Sequence, residues 1–213
     1  MRRATFRDQT VDYAAVGASQ AADLLQYPPE KSIPAVDAWR IGSGEERFST
    51  AAETLLTWQV LRGAGLEVSD VRPSAGPSYT GVSFDGEGNA VAPSRSDDDQ
   101  RFTEDGIAFV SPGSTAHVHG RIPGASTDGD FRVIFVAEEK RRVAFALGTV
   151  GATRVSGEVL FDVTWRDDDE VWFEVRAFDI PISPGYRLLR SRVRRRRRAL
   201  NAAYLRSISP LFR

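Results

Sequence analysis

His117 and His119 are the only histidines in the chain, and imidazoles are the first side chains to test for metal or acid–base chemistry. Two residues apart on a strand, they share one face. Two imidazoles alone leave a zinc ion short of ligands, and no nearby acid stands at an obvious spacing to complete the set. A solvent-facing or partly packed pair is expected, and no metal site. The run Asp167-Asp168-Asp169-Glu170 lacks the spaced ligands and the glycine of a calcium loop, so it reads as a solvated hairpin turn. Gly42-Ser43-Gly44 precedes a helical pattern in the manner of a phosphate loop. Position 47 is Arg, however, where a dinucleotide fingerprint needs glycine, and Glu45 and Glu46 would repel phosphate. A tight turn with acids favouring the helix dipole accounts for those residues better. The chain has no cysteine, which excludes disulfides and thiolate chemistry, and it carries no G-x-S-x-G, H-E-x-x-H or Walker motif. No cofactor is expected.

Arginine is the residue type that stands out. Residues 186–213 hold ten arginines and no acid, a charge of +10, while residues 1–185 carry all 29 acids and a balance of −11. Such a split points either to an anionic partner or to a basic helix packed on its own acidic body, and the second is the expectation. Tyr186, Leu189, Val193, Leu200, Tyr204, Ile208 and Leu211 fall on one stripe at helical spacing, so the run Arg194–Arg198 belongs to an amphipathic helix. Five consecutive arginines wrap a helix, and no aromatic is interleaved to stack on bases, so nucleic acid is not an expected partner.

Arg197 is different from its neighbours, because it sits in the gap of the stripe between Val193 and Leu200. An inward charge needs a partner. Glu158, Asp162 or Glu174 would supply it. The alternative is that Arg197 meets a ligand carboxylate or phosphate in a cavity. The candidate ligand-binding set is therefore Arg197, Glu158, Asp162, Glu174 and Tyr204.

These side chains need elements to position them. A short helical stretch is possible near Ala18–Leu25, stopped by Pro28-Pro29. Val36–Ile41 reads as a strand, Glu45–Arg62 as a helix ended by Gly63 and Gly65, and Leu66–Val71 as a strand. Residues 73–105, rich in Gly, Ser, Pro and Asp, read as a mobile loop with a weak hairpin around Asp85–Asn89. A β-meander follows, with short strands at Ile107–Val110 and Ala116–Ile122. Alternation at Phe131/Val133/Phe135 and Val143/Phe145/Leu147 makes one hairpin. Val159/Phe161/Val163/Trp165 and Val171/Phe173/Val175 make another, with Asp162, Thr164, Glu174 and Arg176 on its opposite face. A long helix closes the chain near Ile208. The order predicts one α+β domain over 1–213, a curved antiparallel β-sheet packed on a long C-terminal helix. This is the helix-grip arrangement, Bet v 1/START-like, in which sheet and helix enclose a cavity.

Most of the chain also resembles the DUF1990 family. Tyr13-Ala14-Ala15-Val16-Gly17-Ala18-Ser19 is similar to its Y-x-x-V-G-A-T opening. Gly42-Ser43-Gly44-Glu45-Glu46-Arg47-Phe48 through Ala51, Leu55 and Trp58 resembles its G-x-G-x-x-x-F-x-x-A-x-x-x-L-x-x-W signature. Phe145-Ala146-Leu147-Gly148-Thr149 and Gly157-Glu158 stand where the family has F-A-Y-G-T and G-E-E, and Arg176-Ala177-Phe178 precedes Pro181 as in family members. The chain departs from the pattern at Leu147, at Ala152-Thr153-Arg154-Val155, at Val159 and at Asp179-Ile180. The resemblance implies a fold and little chemistry.

The leading functional expectation is a domain that binds a small apolar or amphipathic ligand between sheet and helix. One alternative is an enzyme of hydrolase or isomerase type using a cavity carboxylate such as Glu158. Another is an interaction protein that docks through the arginine helix. The N-terminus has no apolar stretch behind its charges and no run reaches spanning length, so neither a signal peptide nor membrane insertion is expected, and a cytoplasmic setting is. The oligomeric state is not legible.

Overall fold

The computed structural model describes residues 11–73, 83–84, 90–91, 101–102, 106 and 108–209. Seven strands form one antiparallel sheet: β1 (Ile33–Ser43), β2 (Glu67–Arg72), β5 (Thr115–Ile122), β6 (Ala125–Glu139), β7 (Arg142–Val150), β8 (Val155–Trp165) and β9 (Glu170–Pro181). Their order across the sheet is β1-β9-β8-β7-β6-β5-β2. Two-residue strands β3 (Ser83–Phe84) and β4 (Ala90–Val91) pair separately, where the weak hairpin was expected. Most of the predicted mobile loop over 73–105 lies outside the described residues.

The alternation read in the sequence sets the faces of the sheet. Phe145, Phe161 and Phe173 stand side by side on the inner face, with ring centroids 5.1 and 6.4 Å apart. Register shifts at Arg40/Gly42 in β1 and Val133/Phe135 in β6 bend the sheet around this core. Helices α1 (Glu45–Leu56) and α2 (Gln59–Gly63) cover one part of the inner face, and α4 (Arg190–Ile208) covers the rest after the short α3 (Pro184–Leu188). Tyr204 of α4 sets its ring edge-on to Phe161 at 5.0 Å. This is the expected helix-grip architecture.

Several expected elements differ. The helix expected over Glu45–Arg62 is broken at Trp58, which adopts a left-handed φ of 64°. Its indole is wholly buried and donates to the Ala108 carbonyl at 3.0 Å, so tertiary packing overrides helical propensity there. Of the strand expected at Ile107–Val110, Ile107 lies outside the described residues, and Ala108 forms an isolated bridge to Phe102. The stretch near Ala18–Leu25 forms only a 3-10 turn, Ala18–Gln20. The C-terminal helix is interrupted at Leu189, between α3 and α4.

Gly42-Ser43-Gly44 is a structural turn. Arg47, one turn into α1, folds back over Gly42, where any Cβ would crowd its side chain. Its Nε donates to the Ile41 carbonyl at 2.9 Å, and its Nη2 donates to the carbonyl of Ile208 at the end of α4. The arginine that disqualifies a dinucleotide loop thus ties β1 and α1 to the last turn of the closing helix.

Candidate functional site

Arg197 faces the sheet, as its place in the apolar stripe predicts, and it is buried. Its partner is Asp179 of β9: Nε donates at 2.8 Å and Nη2 at 2.5 Å to the two carboxylate oxygens. Burial works against this charge. The Asp179 carboxylate and its hydrogen bonds outweigh that and hold the guanidinium above the usual arginine range.

The expected partners Glu158, Asp162 and Glu174 are corrected, because all three carboxylates belong to the opposite face of the sheet. Strand parity explains this: Val175, Ala177 and Asp179 share the inner face, so Glu174 and Phe178 point outward. Asp162 receives Arg142 bidentately at 2.8–3.0 Å, and Glu174 pairs with Arg176. The Asp162 hydrogen bonds raise the Arg142 pKa.

Glu158 is almost fully buried beneath the N-terminal segment. Its carboxylate accepts from the Tyr13 hydroxyl at 2.8 Å, the Gly17 amide at 2.8 Å, the Ser19 amide at 3.1 Å and the Ser19 hydroxyl. Burial, then the neighbouring carboxylate, pushes the Tyr13 hydroxyl pKa well above the tyrosine range. Tyr13 also packs over Gly148, where a Cβ would overlap its hydroxyl, and Thr149 binds Asp12 at 2.6 Å. Three stretches of the family resemblance, around Tyr13, Gly148 and Glu158, are therefore one contact. With four donors on it, Glu158 is a structural anchor.

Between the inner face and the N-terminal half of α4 lies a cavity of about 770 Å³. Phe131, Leu147, Val159 and Leu200 supply apolar wall, and Thr127, Thr149, Asp179, Arg197 and Tyr204 supply polar wall. Of the candidate set, the structure brings Arg197 and Tyr204 together at this cavity. Glu158 forms part of its wall with its carboxylate already engaged, and Asp162 and Glu174 are elsewhere. Leu147, the stretch Ala152–Val155, Val159 and Asp179, all departures from the family pattern, line it as well.

Arg196 is a cavity residue that sequence reasoning missed. It is half-buried, and its Nε donates to the Ser126 carbonyl at 2.9 Å. Among the described residues no carboxylate comes within ion-pair distance of it. Burial pulls its pKa below the usual arginine range, and the adjacent Arg197 adds to that against the opposing pull of Asp179. The signal was present: at about 100° per residue Arg196 lies only about 40° from Leu200, as close to the stripe as Arg197 is to Val193.

His117 and His119 lie on the outer face. His117 bridges Asp130 at 2.7 Å and Asp128 at 3.2 Å, and its hydrogen bond to Asp130 is the main reason that its pKa is raised above 6.5. His119 pairs with Glu67. No group of three or more metal-ligating side chains occurs among the described residues.

Among the described residues, one carboxylate of the body, Asp179, forms an ion pair with an arginine of the closing helix. Of its arginines, Arg197 alone forms an ion pair among the described residues, while Arg190 and Arg196 donate to carbonyls.

The family model for a domain of unknown function, DUF1990, matches residues 12–92 and 100–207. No curated protein matches the chain. Among solved structures, a hypothetical protein from Helicobacter pylori is similar in fold, with a TM-score of 0.50 at 9% identity over 87% of this chain and 91% of that one. The ginseng major latex-like protein 151 from Panax ginseng aligns with a TM-score of 0.41 at 13% identity, over 82% of this chain and 99% of that one.

Proposed function

The chain belongs to the DUF1990 family, a domain of unknown function, and we propose that it is a binding module for one small amphipathic molecule, held between sheet and closing helix. The observation that carries this reading is the cavity of about 770 Å³, whose lining combines apolar side chains with polar ones. That volume lies in the range of small-molecule sites. Catalysis through a cavity carboxylate has less support, because Glu158 is saturated by four donors and Asp179 is held by Arg197. Proton transfer by either would first have to break those contacts. No helix of the described residues is long and apolar enough to cross a membrane. Nucleic acid stays outside the proposed partners, since no aromatic side chains interleave the arginine run.

Native mass spectrometry of protein purified from cells, with dye displacement as a second readout, tests the reading. A bound small-molecule mass is expected. An apolar fluorescent dye should bind the wild type and lose affinity for Leu200→Trp, which fills the cavity without adding charge. Absence of bound mass, together with equal dye affinity for both proteins, would sink it.

A further inference from the structure

Among the described residues, the cavity's charges do not balance. The acids around it are each engaged: Asp128 and Asp130 by His117, Glu158 by the N-terminal segment and Asp179 by Arg197. Arg121, Arg154 and Arg196, which also line it, have no carboxylate within ion-pair distance among the described residues. Arg121 and Arg154 stand exposed at the rim, where water solvates them. Arg196 is half-buried, so its charge is only partly solvated and an opposite charge there is worth more than at the surface.

Arg196 is also held ready. Its Nε is fixed by the Ser126 carbonyl, while its Nη groups have no acceptor among the described residues. A second cavity of about 480 Å³ adjoins the first, and Arg121, Ser126, Tyr186 and Arg196 line both. Arg196 thus stands at the neck where the two meet. Tyr204 and Tyr186 line the same cavity as Arg196. No hydrogen bond to the Tyr204 hydroxyl occurs among the described residues, although the ring is buried.

From this geometry we infer that the ligand carries an oxyanion head, a carboxylate or a phosphate monoester, received by the Nη groups of Arg196 and the Tyr204 hydroxyl. This deepens the small-molecule reading above and rests on it. The head sits at the neck and the apolar body lies along Phe131, Leu147, Val159 and Leu200. An anion there closes the local balance, which otherwise has two guanidiniums, Arg196 and Arg197, against one carboxylate, Asp179. The planar fork of Arg196 suits two parallel hydrogen bonds to one head group. Arg197 cannot serve in this way, because Asp179 already fills its fork.

The probes are decanoate, decyl phosphate and decanol, whose apolar bodies match and whose heads differ. Affinities are read by titration calorimetry or dye displacement on wild type, Arg196→Gln, Arg196→Lys and Leu200→Trp. One or both anions should bind at least about tenfold more tightly than the alcohol, and the better of the two identifies the head. Arg196→Gln should bring the anions down to the affinity of decanol, Arg196→Lys should restore part of the preference, and Leu200→Trp should weaken all three probes. Equal binding of acid and alcohol to the wild type overturns the head-group assignment while leaving a ligand cavity standing. So does an Arg196→Gln loss that is the same for all three, since that marks a structural role. No binding of any probe, with Leu200→Trp indistinguishable from wild type, overturns the cavity reading and this inference together.

Discussion

At the scale of single residues, the Arg197–Asp179 pair is a buried ion pair whose role is readily tested. Two buried charges pay for their desolvation only through their mutual contact, so removing one strands the other. Arg197→Ala should lower unfolding stability by about 3–5 kcal/mol, because Asp179 would remain buried without its cation. Arg195→Ala, on the exposed side of α4, should change stability by less than about 0.5 kcal/mol. Urea unfolding of both variants reads the difference, and similar midpoints would refute the assigned roles. The inward turn of Arg197 was legible because the apolar stripe fixes the phase of the helix. The identity of its partner was legible too, by extending the alternation Phe173, Val175, Ala177 one step further to Asp179. The same alternation puts Glu158, Asp162 and Glu174 on the opposite face, and the helical phase that turns Arg197 inward also brings Arg196 to the edge of the stripe.

Elements show where the sequence signal is strong and where it fails. The two long hairpins follow from period-two alternation over many residues, and the closing helix from a stripe sustained over several turns. The break at Trp58 left no such trace, because it arises from an indole whose acceptor, Ala108, lies 50 residues on. The N-terminal segment is the extreme case: it has little regular structure and is held by Glu158, more than 135 residues away. Glu158→Gln replaces a charged acceptor by an amide with one oxygen, and should cost about 1–3 kcal/mol. Amide exchange at Gly17 and Ser19, which donate to that carboxylate, should accelerate. The amide of Phe161, in the sheet core, should stay among the slowest. Gly148→Ala should act similarly by crowding the Tyr13 hydroxyl. Unchanged exchange at Gly17 and Ser19 in both variants would show that something other than Glu158 fastens the segment.

For the whole molecule, the question is why residues 1–185, at −11, and residues 186–213, at +10, meet in a single ion pair among the described residues, Arg197 to Asp179. Several acids of the sheet are engaged with the sheet's own cations: Asp162 with Arg142, Glu174 with Arg176, Glu170 with Arg40. Among the described residues, the outward arginines of α4 have no carboxylate within ion-pair distance. Arg190, Arg194 and Arg198 follow at i, i+4 and i+8, a spacing that stacks like charges on one face. Arg190 donates to the Lys31 and Ser32 carbonyls, while Arg194 and Arg198 are exposed without an ion pair among the described residues. Arg194 has a like-charged neighbour one turn away on each side, so its charge should work against the fold. Arg194→Gln keeps a good helix former and removes the repulsion. It should raise stability by about 0.2–0.5 kcal/mol at low ionic strength. The gain should shrink in about 0.5 M salt, where the Debye length falls below the spacing of the charges. A loss of stability on this substitution would mean that an acid of the body holds Arg194 after all, and would restore the contact between basic helix and acidic sheet that the sequence suggested.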